Sequence, residues 1–263
     1  RDFCLSRGLG DVYKRQDAET AALDTFCATY DAVVFMDHTS GYKGKYRVPV
    51  SILSSQDKDY CSQTSMDLLI HIGDVSGGYI GMQPHAVWRV NPDGELRDTY
   101  HKLTYVFEME EQAFFEHYAD TTSPARHGYM DACWEELRVI WAKVPESALP
   151  FSNVWIAHET VGRIPKNSVL FLGILNTLRT WNYFDIPDSV YGYANTGGFG
   201  IDGYISSFMG ASLVHPDKLY FCVAGDLAFF YDMNVLGNRH VGRNVRILLV
   251  NNGKGTEFRN YKH

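Results

Sequence analysis

Apolar positions along this chain switch between a spacing near 3.6 residues and short unbroken runs. That switching is the first clue to its fold class. Ala21, Ala22, Leu23, Phe26 and Tyr30 form a helix-like stripe, and the apolar run Ala32-Val33-Val34-Phe35-Met36 follows at once. Asp67-Leu68-Leu69-Ile70-His71-Ile72-Gly73 predicts a compact strand ending in a Gly-containing loop. Ala86 to Val90 predicts another strand, closed by the turn Asn91-Pro92-Asp93-Gly94. Leu103 to Phe107 reads as extended and Glu108 to Tyr118 as a helix. Strands that alternate with helices in this way favour a parallel sheet covered on both faces.

The pattern then breaks and restarts. Asp120-Thr121-Thr122-Ser123-Pro124 is loop chemistry, after which Met130, Cys133, Trp134, Leu137, Ile140, Trp141 and Val144 recur at helical spacing. From Pro150 a second unit opens with a helix carrying Val154, Trp155, Val161 and Ile164. Ser168 to Leu172 predicts a strand, Asn176 to Phe184 a short helix, and Gly200 to Val214 a helix after a Gly-rich loop. Lys218 to Ala224 and Val245 to Val250 read as buried strands flanking a helix from Leu227 to Leu236. The expected architecture is α/β: two Rossmann-like three-layer domains with mainly parallel sheets, residues 17–125 and 150–263, joined by a connector helix within 126–149. Residues 1–16 have no apolar period and resemble a translated sequencing-adaptor tail, so they are expected to lie outside the fold as a non-native extension. An open sheet of this type would normally continue past His263, so a C-terminal truncation is expected too.

Composition narrows the function classes. With 45% hydrophobic and 21% charged residues in 263, the chain can bury proper cores. A formal charge of −7 argues against nucleic acid, since phosphate neutralisation needs clustered Lys and Arg. The absence of a run of about 18 apolar residues predicts no membrane span. Cys4, Cys27, Cys61, Cys133 and Cys222 are scattered and form no CxxC pair, the pattern of reduced thiols in a cytoplasmic protein.

The richest chemistry sits late in the chain. Gly225-Asp226-Leu227 follows a predicted strand and opens a helix, and Asn251-Asn252 ends the next strand. Successive parallel strands end at one sheet edge, where open α/β sheets bind ligands. A carboxylate and an amide oxygen are hard ligands suited to Mg²⁺, with ligand phosphates completing the octahedron. On these residues alone, Asp226 as a helix cap and Asn252 as a turn residue remain open alternatives.

Upstream lies the Gly-rich turn Asn195-Thr196-Gly197-Gly198-Phe199-Gly200-Ile201-Asp202-Gly203. Taken with Val223 to Asn234 and with Asn251-Asn252-Gly253-Lys254-Gly255, it resembles the cofactor domain of thiamine-diphosphate-dependent enzymes. The likeness is nearest to the menaquinone-pathway synthase making 2-succinyl-5-enolpyruvyl-6-hydroxy-3-cyclohexene-1-carboxylate. It covers residues 150–261 well and extends more loosely over 17–119, as that family's middle domain.

The resemblance implies roles. Asp226, the Asn252 side chain and the Lys254 main-chain carbonyl would ligate Mg²⁺. Gly225 and the amides near Leu227 and Ala228 would hold the diphosphate of thiamine diphosphate. Ile201 would be the wedge under a bent cofactor, beside Gly200, and the Phe199 carbonyl would accept from the aminopyrimidine. Arg179 falls where the synthase carries an arginine for substrate carboxylates; a surface helix arginine is the alternative. Thr196 replaces a second family arginine and Glu257 adds negative charge, departures that leave the substrate open. The family's catalytic glutamate is not found, and Glu159 is expected to be an exposed helix residue, so this portion is expected to be inactive by itself. The implied function is 2-oxo acid decarboxylation or carboligation on a small anionic substrate, in a homodimer or homotetramer. The rival reading is a non-catalytic nucleotide- or phosphate-binding Rossmann-like module, and His71 is expected to be a satisfied core histidine.

Overall fold

Ala32–Met36 is buried at every position, as a strand covered on both faces must be. The computed structural model describes residues 3–8, 17–55, 64–73, 81–119, 128–144, 149–195 and 201–253. The chain divides into two units, residues 1–146 and 147–263.

In the first unit the elements run β1 (Phe3–Gly8), α1 (Asp17–Tyr30), β2 (Ala32–Met36), β3 (Arg47–Pro49), α2 (Val50–Ser54), β4 (Ser65–Gly73), β5 (Gln83–Val90), β6 (Leu103–Phe107), α3 (Glu111–Tyr118) and α4 (Tyr129–Trp141). The strands form one parallel sheet in the order β3-β2-β1-β4-β5-β6. Side chains alternate across a strand, so β2 feeds two layers. Val34 joins Leu23, Phe26, Ile70, Val90, Phe114 and Phe115 in the core under α1 and α3. Phe35 meets Tyr129 of α4 edge-on, with ring centroids 6.3 Å apart. The predicted connector helix thus packs on β2, β3 and α2 of the first unit.

Part of the first sixteen residues falls within the sheet. Residues 1–16 were expected to stand outside the fold, yet the backbone of Phe3–Gly8 pairs in parallel with both β2 and β4. A ladder is made by backbone groups that every residue carries, so a strand between two apolar neighbours needs no period of its own.

The second unit contains α5 (Asn153–Val161), β7 (Val169–Leu172), α6 (Asn176–Trp181), β8 (Tyr191–Ala194), α7 (Tyr204–Val214), β9 (Tyr220–Gly225), α8 (Asp226–Asp232), a 3₁₀ turn over Met233–Gly237 and β10 (Val245–Val250). Its sheet is parallel throughout, in the order β10-β9-β7-β8. Phe171, Tyr204, Ile205, Phe208, Cys222 and Ala224 form the core beneath α7, while α6 packs on β7 and β9 and α5 on α6. Both units are therefore parallel sheets covered by helices, the α/β class expected. β10 differs from its prediction: it is only half-buried, because it is the terminal strand of this sheet among the described residues and lacks a neighbour on one side.

Candidate functional site

In the second sheet the chain leaves β7 toward β8, then crosses back to place β9 on the other flank of β7. The carboxyl ends of β7 and β9 are thus a topological switch point, where such sheets open a crevice. Val250 pairs with Gly225, so Asp226 and Asn251 are the first residues beyond the two paired strands. Asp226 is 9% exposed. Its Oδ2 accepts the Gly253 amide at 2.7 Å and its Oδ1 the Leu227 amide at 2.8 Å. Asn251 Oδ1 also accepts the Gly253 amide, at 3.2 Å. Gly253 has φ of +63° with open space around it, so its backbone conformation, rather than room for a side chain, favours glycine.

Asp226 thus joins the ends of β9 and β10, and Asn252 lies exposed in the same turn. Each oxygen of Asp226 takes one backbone amide and keeps lone-pair capacity. Among the described residues no Lys, Arg or His side chain is paired with it. Nor is there a cluster of three His, Cys, Asp or Glu among them. What these residues fit is a hard cation that takes one carboxylate, neutral oxygens and ligand phosphates. Asp226 is the first residue of α8 rather than its cap, a position filled by Gly225. The Leu227 amide, expected to face a diphosphate, is engaged by Asp226 here, and Ala228 follows half-buried in the same turn. Phe199, Gly200 and Lys254 lie outside the described residues, as do Thr196 and Glu257.

The other side of the crevice is built by α7. Asn195 ends the loop side of β8 and its Nδ2 donates to the Asp202 carbonyl at 3.0 Å, closing the base of the Gly-rich turn. Ile201 is half-buried in this turn, and Gly203, at φ +70°, delivers the chain into α7. Burial pushes the Cys222 thiol up to about 12 and the Tyr204 phenol well above its usual value, so both stay protonated and neither supplies a base.

At the end of β7 a feature appears that the sequence did not signal. Leu175 has φ of 66° and ψ of −120°, a region costly for a residue with a Cβ, on the order of 1–3 kcal/mol. Its carbonyl accepts the Arg179 amide at 2.8 Å and thereby starts α6. Arg179 is half-buried one turn later. Trp181 is wholly buried core, so it cannot line an open pocket, whereas Tyr183 is half-buried. Glu159 is partly covered on α5, where it pairs with Arg163 at 3.1 Å and His158 at 3.2 Å. In the first unit, His71 is a core residue as expected but not a satisfied one: its Nδ1 has no hydrogen-bond partner among the described residues.

No family model matches the chain. Curated relatives do. A 2-succinyl-5-enolpyruvyl-6-hydroxy-3-cyclohexene-1-carboxylate synthase of Bacteroides fragilis is 36% identical over 66% of this chain and 31% of its own length. Its namesake in Flavobacterium johnsoniae is 32% identical over 95% of this chain and 47% of itself. That of Desulfotalea psychrophila is 28% identical over 94% and 46%. The chain spans less than half the length of each of these relatives. Similarity that runs through both sheets and through the strand ends holding Asp226 makes this chain a member of the thiamine-diphosphate-dependent enzyme family to which those synthases belong.

Proposed function

We propose that this chain supplies the metal- and diphosphate-holding half of a thiamine-diphosphate-dependent enzyme acting on a 2-oxo acid or a similar small anion. One observation carries the reading: the buried Asp226 carboxylate sits between the ends of β9 and β10, held by the Gly253 and Leu227 amides, at the carboxyl edge of a parallel sheet. Asp226, the Asn252 side chain and the Lys254 carbonyl would hold Mg²⁺. Gly225 and the amide of Ala228, in a first helical turn whose N–H groups lack intrahelical acceptors, would face the diphosphate. Ile201, with Gly200 and the Phe199 carbonyl, would support and orient the organic rings. The bound cofactor supplies an electron sink for decarboxylation or carboligation at a carbonyl. The protein's part is to position it, keep its phosphates neutralised and offer Arg179 to a substrate carboxylate.

Glu159 does not replace the family's proton-transferring glutamate, because it is occupied by Arg163 and His158. Turnover therefore depends on groups supplied from outside the residues seen here, in keeping with a homodimer or homotetramer that shares sites between subunits. Among the described residues no helix is long and apolar enough to cross a membrane. A cytoplasmic setting fits the thiols of Cys27 and Cys222, which are buried and form no disulfide.

Calorimetric titration tests the reading. Thiamine diphosphate should bind with Mg²⁺ and not with EDTA, and Asp226→Ala should weaken binding by about a hundredfold or more. Undiminished affinity in Asp226→Ala would overturn the metal role. Tight nucleotide binding with no thiamine-diphosphate binding would favour a phosphate-binding module instead.

A further inference from the structure

We infer that Tyr204 is a positioning residue for the cofactor site, fixing the turn that carries Ile201 to the strand that carries Asp226. The inference rests on the functional reading above and concerns a residue that reading does not use. Tyr204 opens α7 and is 1% exposed. Its hydroxyl lies 2.9 Å from the Phe171 carbonyl of β7 and 2.9 Å from the Val223 carbonyl of β9. These are the two strands that flank the switch point.

Core packing does not account for that hydroxyl. Phe171 and Phe208 already surround the position with apolar rings, and a phenylalanine would fill the same volume. Burying a hydroxyl is unfavourable unless it is bonded. Here a single proton is shared between two carbonyls, and Val223 O already accepts the Gly173 amide at 2.9 Å. The polar tip contributes placement. It ties the first turn of α7 to both strands, three residues before Asp226 on one of them.

Two further tethers act on the same turn. Asn195 holds the Asp202 carbonyl at 3.0 Å. Asp232, at the end of α8, accepts the Ser206 amide at 2.6 Å and the Ser206 hydroxyl at 2.8 Å. Ile201 is therefore carried on a turn bound on one side to β8 and on the other to β7, β9 and α8. Loosening the Tyr204 tether should shift Ile201 relative to Asp226 while leaving the Asp226 edge itself intact.

The test compares two ligands in the presence of Mg²⁺: thiamine diphosphate, which needs both sides of the crevice, and inorganic diphosphate, which needs only the Asp226 side. Tyr204→Phe should weaken thiamine diphosphate about tenfold and change inorganic diphosphate by less than about twofold. Asn195→Ala should give the same selective loss, smaller in size. A purely structural role would lower both affinities together, and that result, or no change in either, overturns the inference. If circular dichroism shows Tyr204→Phe to be unfolded, Asn195→Ala decides alone: selective loss supports the inference and its absence overturns it. Wild-type protein that fails to bind thiamine diphosphate sinks the cofactor reading instead, which keeps the two failures distinct.

Discussion

The two units build the same kind of parallel sheet and treat its carboxyl edge in opposite ways. In the first, charge is answered by side chains close by. The wholly buried Arg89 guanidinium reaches back from the end of β5 to the Gly73 carbonyl at 3.0 Å and forward to Asp93 at 2.9 Å. In the second, Asp226 meets only backbone amides among the described residues. Architecture is shared, so it cannot be what assigns a ligand to one edge. What differs is whether the charge at the edge is already neutralised. The first unit uses its charges to close turns, and the second keeps a carboxylate with coordination capacity.

The sharpest way to break that contrast is Asp93→Ala. It leaves the wholly buried Arg89 guanidinium with its carbonyl partner and without the counter-charge of the exposed Asp93, and an uncompensated buried charge of this kind costs about 3 kcal/mol. Hydrogen exchange should show faster opening of the β4 and β5 amides and unchanged protection in β7 and β9. Unaltered β4 and β5 protection would mean that the pair does not close this edge. The Asp93 carboxyl carries the same information in its titration. Burial pushes it up, but the Glu95 amide and the Arg89 guanidinium outweigh that and hold it below the usual carboxylate range. Its contribution is therefore present at neutral pH and lost as acid brings the pH down through the folded-state value.

A slightly smaller effect belongs to His71. Burial first, and then the charges of Arg89 and Arg97, lower its pKa from 6.5 to about 4. Between those values the unfolded chain binds a proton that the folded unit refuses, so stability falls as pH drops through this window, by roughly 3 kcal/mol at most. The ring packs edge-on against Tyr100, with centroids 5.8 Å apart. His71→Leu should flatten the dependence between pH 6.5 and 4, measured by denaturant unfolding with exchange in β4 as the probe. An identical slope in the variant would show that other groups govern it.

How much of this was legible follows a physical divide. The continuous apolar runs of β2, β4, β7 and β9 were readable because strands buried on both faces need them. β3, as Arg-Val-Pro, and β8, as Tyr-Gly-Tyr-Ala, escaped because terminal strands can be short and hold Pro or Gly. β10 misled in the other direction, since Val-Arg-Ile-Leu-Leu-Val reads as buried and is not. At the site, Asp226 and the turn after β10 could be assigned to one sheet edge because the ends of successive parallel strands meet by topology alone. The Gly253 amide on Asp226, the Tyr204 hydroxyl across two strands and the left-handed Leu175 could not, since each depends on three-dimensional neighbours that no local pattern encodes.

The mildest prediction tests whether position, rather than bonding pattern, separates the two carboxylates that resemble each other most. Asp31 also accepts two backbone amides, from Gly128 at 3.1 Å and Tyr129 at 3.3 Å. There it supplies from a distance the cap that Gly128 cannot provide for α4. Yet Asp31 precedes β2, at the amino edge of its sheet, whereas Asp226 follows β9, at the carboxyl edge. Its φ of 51° is a conformation that Asp and Asn tolerate better than Ala. Asp31→Ala should therefore destabilise α4 by about 1 kcal/mol, with Asp31→Asn falling between it and the wild type. Amide exchange within α4 reads the loss, and thiamine-diphosphate affinity should not move. If Asp31→Ala weakened the ligand as Asp226→Ala is expected to, the edge of the sheet would not be the deciding variable, and the division of labour between the units would have to rest on something other than where each carboxylate meets its strand.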